Sequence, residues 1–249
     1  MAMKKEKNKK IKVAFPHMGT ISIAWAAGLK KIGVEPYVPP YTSKKTLSYG
    51  TKNSPEAICL PYKLILGNFI EAIEGGADYV AMITSPGICR LGEYGNNIYN
   101  TLKDLGYKAN HIELSLYDGI KGLYNFLKDA IIPKAFQNKE THLQRAERMA
   151  KPYLMRDIGG DALECISDVV FADVKGKDGI IHISPFTCMP EIMSQHIFPT
   201  MRMEHDIPIL PLIMDEQTGR AGYITRLEAF VDLMRRKKRA KAAKNKTRV

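Results

Sequence analysis

The sequence predicts an α/β fold with two Rossmann-like lobes, each built on a mostly parallel sheet, and a helical segment between them. Three observations support this prediction. Short apolar runs typical of strands alternate with stretches of helical spacing, and glycines and prolines separate the two. Strands that alternate with helices usually form a parallel sheet covered on both faces. From about residue 119 to 172 the strand pattern stops and helical spacing replaces it.

The first lobe, residues 11–118, is predicted to begin with a β-α-β unit. Its first strand is IKVAFPHM, its helix spans residues 21–32 before Gly33, and its second strand is VEPYVPP. The next helix is SPEAICLPYKLILGNFIEAIEGG, with Ser54 as its N-cap and a glycine pair as its stop. The lobe continues with the strand ADYVAMITSP, a helix over residues 93–105 and the strand YKANHIELS.

The segment over residues 119–172 is predicted to be a helical linker or insertion. Its helices are LYNFLKDAIIPKAF, THLQRAERMAKPYLM and DALECISDVVFADV, and prolines interrupt them. The second lobe, residues 173–234, contains the strand GIIHISPF, the helix PEIMSQHIFPTMRMEH and the strand IPILPLIM. In its last helix, TRLEAFVDLMRRKKRAKAA, Thr225 and Glu228 predict a capping box at the start.

The net charge of +11 is concentrated at the two ends of the chain. The first twelve residues carry +5 and residues 235–249 carry +9, so the remaining chain carries −3. We therefore interpret residues 1–10 as a basic extension and residues 235–249 as a basic, frayed tail, and nucleic acid is not the expected partner. Neither a signal peptide nor an apolar run of 18 residues is present, which favours a cytoplasmic protein without a membrane span.

Three of the four cysteines, Cys59, Cys89 and Cys188, are predicted to follow buried strands. The carboxyl ends of parallel strands meet at one crevice, where ligands collect. Several soft thiolates there suit an iron–sulfur cluster or zinc, although a single cysteine more often fills space in a core. Cys165 lies in a helical pattern, GGDALECISDVV, and is interpreted as a packing residue.

The residues around these cysteines resemble a known family. The resemblance spans about residues 11–234 and is carried, in order, by TLSYGTKNSPEAICLPYKLILGNFIEAIEGGADYV, SPGICRLGEYG, SPFTCMPEIMSQHIFPTM and DEQTGRAGYITRLEAFVDLM. They resemble the CoA protein activase or acyl-CoA dehydratase activase-related proteins. These in turn are similar to the cluster-bearing subunits of 2-hydroxyacyl-CoA dehydratases and to the double-cubane-cluster reductases.

The resemblance implies that Cys59, Cys89 and Cys188 hold an iron–sulfur cluster, of the 4Fe–4S or the double-cubane type. It also implies two partners, an ATP-dependent activase of the actin-like fold and a larger dehydratase-like subunit, within an oligomer. The chain is shorter than a complete dehydratase subunit, which favours an accessory role. Three thiolates leave one position of a four-iron cluster for water, substrate or another subunit.

Other residues near the thiols are weaker candidates. Lys63 and Arg90 are cations beside Cys59 and Cys89, where positive charge would stabilise thiolates and a reduced cluster, although solvated surface charge is the alternative. Glu191 in a first helical turn is more simply explained by the helix dipole. Asp215 and Glu216 follow a strand and could cap a turn.

Two further candidates would bind other groups. His17 is the one histidine expected near the crevice, as a ligand or as a turn residue. The GTKNSPE segment could bind an anion or simply cap a helix, and both common glycine-rich phosphate motifs are missing from the sequence.

Two functions from different classes follow from the sequence. The first is an iron–sulfur electron-transfer or reductase component related to 2-hydroxyacyl-CoA dehydratases. The alternative is a cluster-free or zinc-stabilised binding or scaffold subunit that is recruited through its basic tail.

Overall fold

A computed structural model of the chain describes residues 10–84, 87–108, 110–115, 142–158, 160–217 and 219–246. The chain divides into two compact units. The first unit comprises residues 1–85 and 90–124, and the second comprises residues 86–89 and 125–249. Within the described residues, no helix is both long enough and apolar enough to cross a membrane.

The first unit is an α/β structure around a four-stranded parallel sheet with the strand order β2-β1-β3-β4. Its elements are β1 (Lys12–Ala14), α1 (Ile21–Lys31), β2 (Glu35–Tyr37), α2 (Lys44–Lys52), α3 (Leu60–Glu74), β3 (Tyr79–Thr84), α4 (Tyr94–Asp104) and β4 (Asn110–Ser115). A short 3-10 turn over Arg90–Glu93 precedes α4. The predicted parallel α/β arrangement of this region is confirmed, with strands shorter than expected.

The core of the first unit lies where α3 and α4 pack on the central strand β3. Leu66, Phe69 and Ile70 of α3 are at most 1% exposed, as are Val80 of β3 and Ile98 of α4. The apolar spacing that predicted these helices therefore corresponds to the faces that they bury.

Two details of the first unit differ from the sequence prediction. Ser54 does not cap the start of α3. Its hydroxyl instead donates to the Gly50 carbonyl, 2.7 Å away, in the last turn of α2, a helix that the sequence did not predict. Helix α3 begins six residues later, with Cys59 in the extended N-cap position and Pro61 in the first turn. The prediction that Cys59 follows a strand is wrong, because a helix and a turn precede it.

Helices α2 and α3 approach each other closely because each presents a glycine to the other's backbone. A Cβ added to Gly50 would lie 1.8 Å from the Lys63 carbonyl oxygen, and one added to Gly67 would lie 2.0 Å from that of Thr46. The Thr46 hydroxyl also donates to the Glu71 carboxylate across this contact, at 2.7 Å. Glycine at both positions therefore fixes where the start of α3 lies.

The second unit contains α5 (His142–Ala150), α6 (Ala162–Val174), β5 (Ile180–Pro185), α7 (Met189–His205), β6 (Ile209–Met214) and α8 (Arg220–Lys246). Its two described strands pair in parallel. The core of this unit is formed by α5, α6, α7 and β6, which pack through residues such as Ala150, Ile166 and Met201, all at most 1% exposed. Helices α5 and α6, which we expected in a linker, thus belong to the core of this unit. The predicted helix LYNFLKDAIIPKAF lies outside the described residues.

Helix α8 is longer at both ends than predicted. It begins at Arg220, so Thr225 lies inside it and donates to the Ala221 carbonyl at 3.2 Å, and the predicted capping box does not form. Towards its other end, the segment interpreted as a frayed basic tail continues the helix to Lys246. There Lys237 pairs with Asp206, and Lys238 pairs with Asp178 at 3.1 Å.

Candidate metal centre

Cys59 lies in a buried setting at the start of α3. Its side chain is 5% exposed, and its sulfur is 2.6 Å from the phenol oxygen of Tyr94, the first residue of α4. The Tyr94 ring packs edge-on against Tyr62, with centroids 5.1 Å apart. This thiol therefore sits where the first turns of two helices meet.

The two predicted cations lie beside the turn that leads into Cys59. The buried ammonium of Lys63 donates to the Glu56 carbonyl at 3.0 Å, and the guanidinium of Arg90 donates to the Ala57 carbonyl at 3.1 Å. The structure thus brings Lys63 and Arg90 together around Cys59. Both side chains donate to backbone carbonyls of the turn that precedes Cys59.

Cys89 and Cys188 belong to the second unit and approach the same end of α7. A Cβ added to Gly160 would lie 3.4 Å from the Cys89 Cβ and 2.6 Å from Pro190 Cγ, and Pro190 is two residues after Cys188. The backbone before Cys89 is held by the Ile88 amide, which donates to the Ile158 carbonyl at 3.1 Å. Cys188 follows β5 as predicted and occupies the N-cap position of α7. None of the four cysteines, all within the described residues, forms a disulfide.

The other residues that the sequence suggested as ligands or binding groups make ordinary structural contacts. His17 Nε2 is 2.8 Å from the Pro39 carbonyl oxygen and its ring stacks on Tyr41, as expected of a turn residue. Asp215 accepts the Gln217 amide at 2.9 Å, which is a turn cap. The GTKNSPE segment ends α2 and does not begin α3, so it lacks the helix start that an anion site there required.

The second unit also contains three metal-binding side chains that sequence reasoning did not bring together: Cys165, His182 and Glu191. One ligand atom from each lies within 4.8 Å of the other two. The Cys165 sulfur is 3.4 and 3.5 Å from the two Glu191 oxygens, and His182 Nε2 contacts Glu191 Oε2 directly. The sequence interpretations of Cys165 as a packing residue and of Glu191 as a partner of the helix dipole did not predict the contact between these two side chains.

Each member of the triad comes from a different element. Cys165 lies in the first turns of α6, His182 in the middle of β5 and Glu191 in the first turn of α7. Strand alternation directs His182 and Ser184 to the covered face of β5, while Ile181 and Ile183 are exposed. A histidine within an apolar strand was the available signal, but its partners are 17 and 9 positions away in the numbering and become neighbours only by folding.

Burial and negative charge shape the chemistry of this triad. His182 and Glu191 are 6% and 4% exposed. Burial, and then the Glu191 charge, raises the pKa of the Cys165 thiol well above its usual range. The same two causes raise the pKa of the Asp161 carboxyl. Without a cation, the thiol is therefore protonated at neutral pH and donates its hydrogen to Glu191.

Compared with models of known protein families and with curated proteins, the chain matches none. Two groups of side chains therefore indicate the function. They are the cysteines at helix starts and the buried Cys165–His182–Glu191 triad. Both groups consist of donors that bind transition metals.

Proposed function

We propose that the chain is an iron–sulfur cluster-binding component for electron transfer or reduction, related to the 2-hydroxyacyl-CoA dehydratases, with Cys59, Cys89 and Cys188 as ligands. One observation supports it above the others: Cys59 and Cys188 occupy the same structural position, the N-cap of a long helix. The sequence motif is also the same, a cysteine followed two residues later by proline, as CLP and CMP.

A helix N-cap is a suitable position for an anionic ligand. The first N–H groups of a helix have no partner within it and carry partial positive charge, which attracts negative charge placed beside them. Neither Cys59 nor Cys188 uses its side chain to cap these groups. Thiolates are the donors that iron–sulfur clusters require. Cys89, beside Pro190 at the start of α7, supplies the third.

Lys63 and Arg90 add positive charge at the turn that bears Cys59. Hydrogen bonds and charges around the thiolates tune a cluster's potential, and nearby cations favour its more negative, reduced state. In this proposal the two residues support an electron-accepting cluster. An ATP-dependent activase of the actin-like fold supplies the electron, a larger dehydratase-like subunit uses it, and the complex works in the cytoplasm.

Anaerobic reconstitution of the full chain with iron and sulfide tests the proposal. We expect a brown protein with acid-labile sulfide. Cys59→Ser, Cys89→Ser and Cys188→Ser should each lower the bound sulfide sharply, because a hydroxyl is a harder and less acidic donor than a thiolate. Cys165→Ser is the matched control and should keep the sulfide. A colourless protein without bound sulfide, or equal loss in all four folded variants, would overturn the proposal.

The alternative function, a zinc-stabilised binding subunit, is favoured by the Cys165–His182–Glu191 triad. It predicts a colourless protein that binds zinc and no sulfide. The iron and sulfide content of the same anaerobic preparation separates the two functions.

A further inference from the structure

We propose that Cys165, His182 and Glu191 bind a single divalent ion of the zinc class, in a centre separate from any iron–sulfur cluster. The centre would lie wholly within the second unit and join α6, β5 and α7. This inference does not depend on the proposed function, because it uses none of Cys59, Cys89 and Cys188.

The donor set fits zinc. Zinc is bound in proteins by thiolate, imidazole and carboxylate groups in tetrahedral geometry, with bonds of about 2.0–2.3 Å, which places neighbouring ligand atoms about 3.5 Å apart. The Cys165 sulfur already lies 3.4 and 3.5 Å from the Glu191 oxygens, and all three ligand atoms fall within 4.8 Å. A rotation of the Glu191 carboxylate away from direct contact with His182 admits the ion.

The side chains are poorly explained by packing alone. A buried glutamate in the first turn of a helix loses its hydration, and it lies near another carboxyl group, Asp161. His182 contacts Glu191 through Nε2, whereas its Nδ1 is buried and has no hydrogen-bond partner among the described residues. A cation at the triad would offset this buried negative charge.

Ion binding exchanges a proton for the metal. The thiol proton of Cys165 leaves to solvent, and thiolate, neutral imidazole and carboxylate are the ligands. Three protein ligands leave a fourth position of the tetrahedron for water. Because Glu191 is three residues after Cys188, the ion would also fix the start of α7.

The experiment uses cobalt as a spectroscopic substitute for zinc in a full-length chain that carries Cys59→Ser, Cys89→Ser and Cys188→Ser. Cys165 is then the one cysteine that remains in the chain, so any thiolate-to-cobalt charge-transfer absorption must come from it. We expect one cobalt ion per chain with this absorption, its displacement by zinc, and a higher unfolding temperature with either ion.

Single changes in the triple-serine background identify the ligands. Glu191→Gln preserves the side-chain shape and should weaken zinc binding at least ~100-fold, since even groups behind the ligands change affinity 10–100-fold. His182→Asn should do the same, and Cys165→Ser should abolish the charge-transfer absorption. His196→Asn, an exposed histidine of the same helix α7, is the matched control and should bind zinc unchanged.

Absence of the cobalt absorption in the folded triple-serine chain would overturn the inference. Equal weakening by His196→Asn and His182→Asn would do so too. Neither result bears on the iron–sulfur proposal, which is measured by bound sulfide in the chain that keeps all four cysteines.

Discussion

Replacing Gly50 with alanine tests the close approach of α2 and α3 that fixes the turn of Cys59. The added methyl carbon would lie 1.8 Å from the Lys63 carbonyl oxygen, 2.4 Å from its carbonyl carbon and 2.9 Å from its Cα. These are backbone atoms of α3, one turn after Cys59, and they cannot rotate away. To reach ordinary contact near 3.4 Å, the two helices must separate by ~1.5 Å.

The expected free-energy change combines two opposing effects. Overpacking a close contact costs about 1–3 kcal/mol and occasionally more, and a backbone clash falls at the upper end. Alanine in place of glycine within a helix stabilises the folded state by about 1 kcal/mol, because alanine has the higher helix propensity. The net result for Gly50→Ala should therefore be a loss of ~2 kcal/mol or more in the free energy of unfolding.

Urea unfolding of the full chain, followed by circular dichroism, measures this change. The matched control is Gly28→Ala in α1, where an added Cβ meets nothing within 4 Å. It has the same propensity gain without the clash, so it should stabilise the protein by about 0.5–1 kcal/mol. If Gly50→Ala is as stable as Gly28→Ala, the inference that α2 and α3 pack closely at Gly50 is refuted.

Three further results are expected. A chain that ends after Met234 should still fold, because it loses exposed ion pairs such as Lys238–Asp178, each worth about 0–1 kcal/mol. Ending it after residue 229 also removes buried Phe230 and should cost about 3–5 kcal/mol more in urea unfolding, whereas equal stability of the two would refute the packing of α8. For pH, the hydrogen bond from Tyr153 to Glu204 raises the pKa of Tyr153 from 10 to about 12. The unfolded chain releases this proton first, so the stability gap between wild type and Tyr153→Phe should be full below pH 10 and shrink as pH rises through about 12; a pH-independent gap would contradict this.

Much of the fold was predictable because local patterns report it directly. The helix over residues 21–32 was bounded by Gly33, which adopts a positive φ of 83° just after α1. The four strands of the first sheet follow from apolar runs between turns. Helix starts were harder: Ser54 has the residue type of an N-cap, yet its hydroxyl bonds back to Gly50. The same side chain can end one helix or begin another, and only the packed neighbours decide which.

The candidate sites show the same division. Cys188 was placed correctly at the end of a strand, and Lys63 and Arg90 do lie beside the turn of Cys59. The Cys165–His182–Glu191 triad was missed, because its members belong to three elements and their types suggest packing, a buried strand and a helix dipole when each is taken alone. Nothing in the spacing of the sequence distinguishes these roles.

The sequence by itself determined the parallel α/β character of the first unit, the basic ends and the cysteines beside prolines, because periodicity, charge and residue type are local properties of the chain. The tertiary structure alone decided that helices α5 and α6 join the core of the second unit and that Cys165, His182 and Glu191 meet. The physical reason is that burial and proximity depend on how helices pack on strands, and residues far apart in the sequence become neighbours only when that packing is complete.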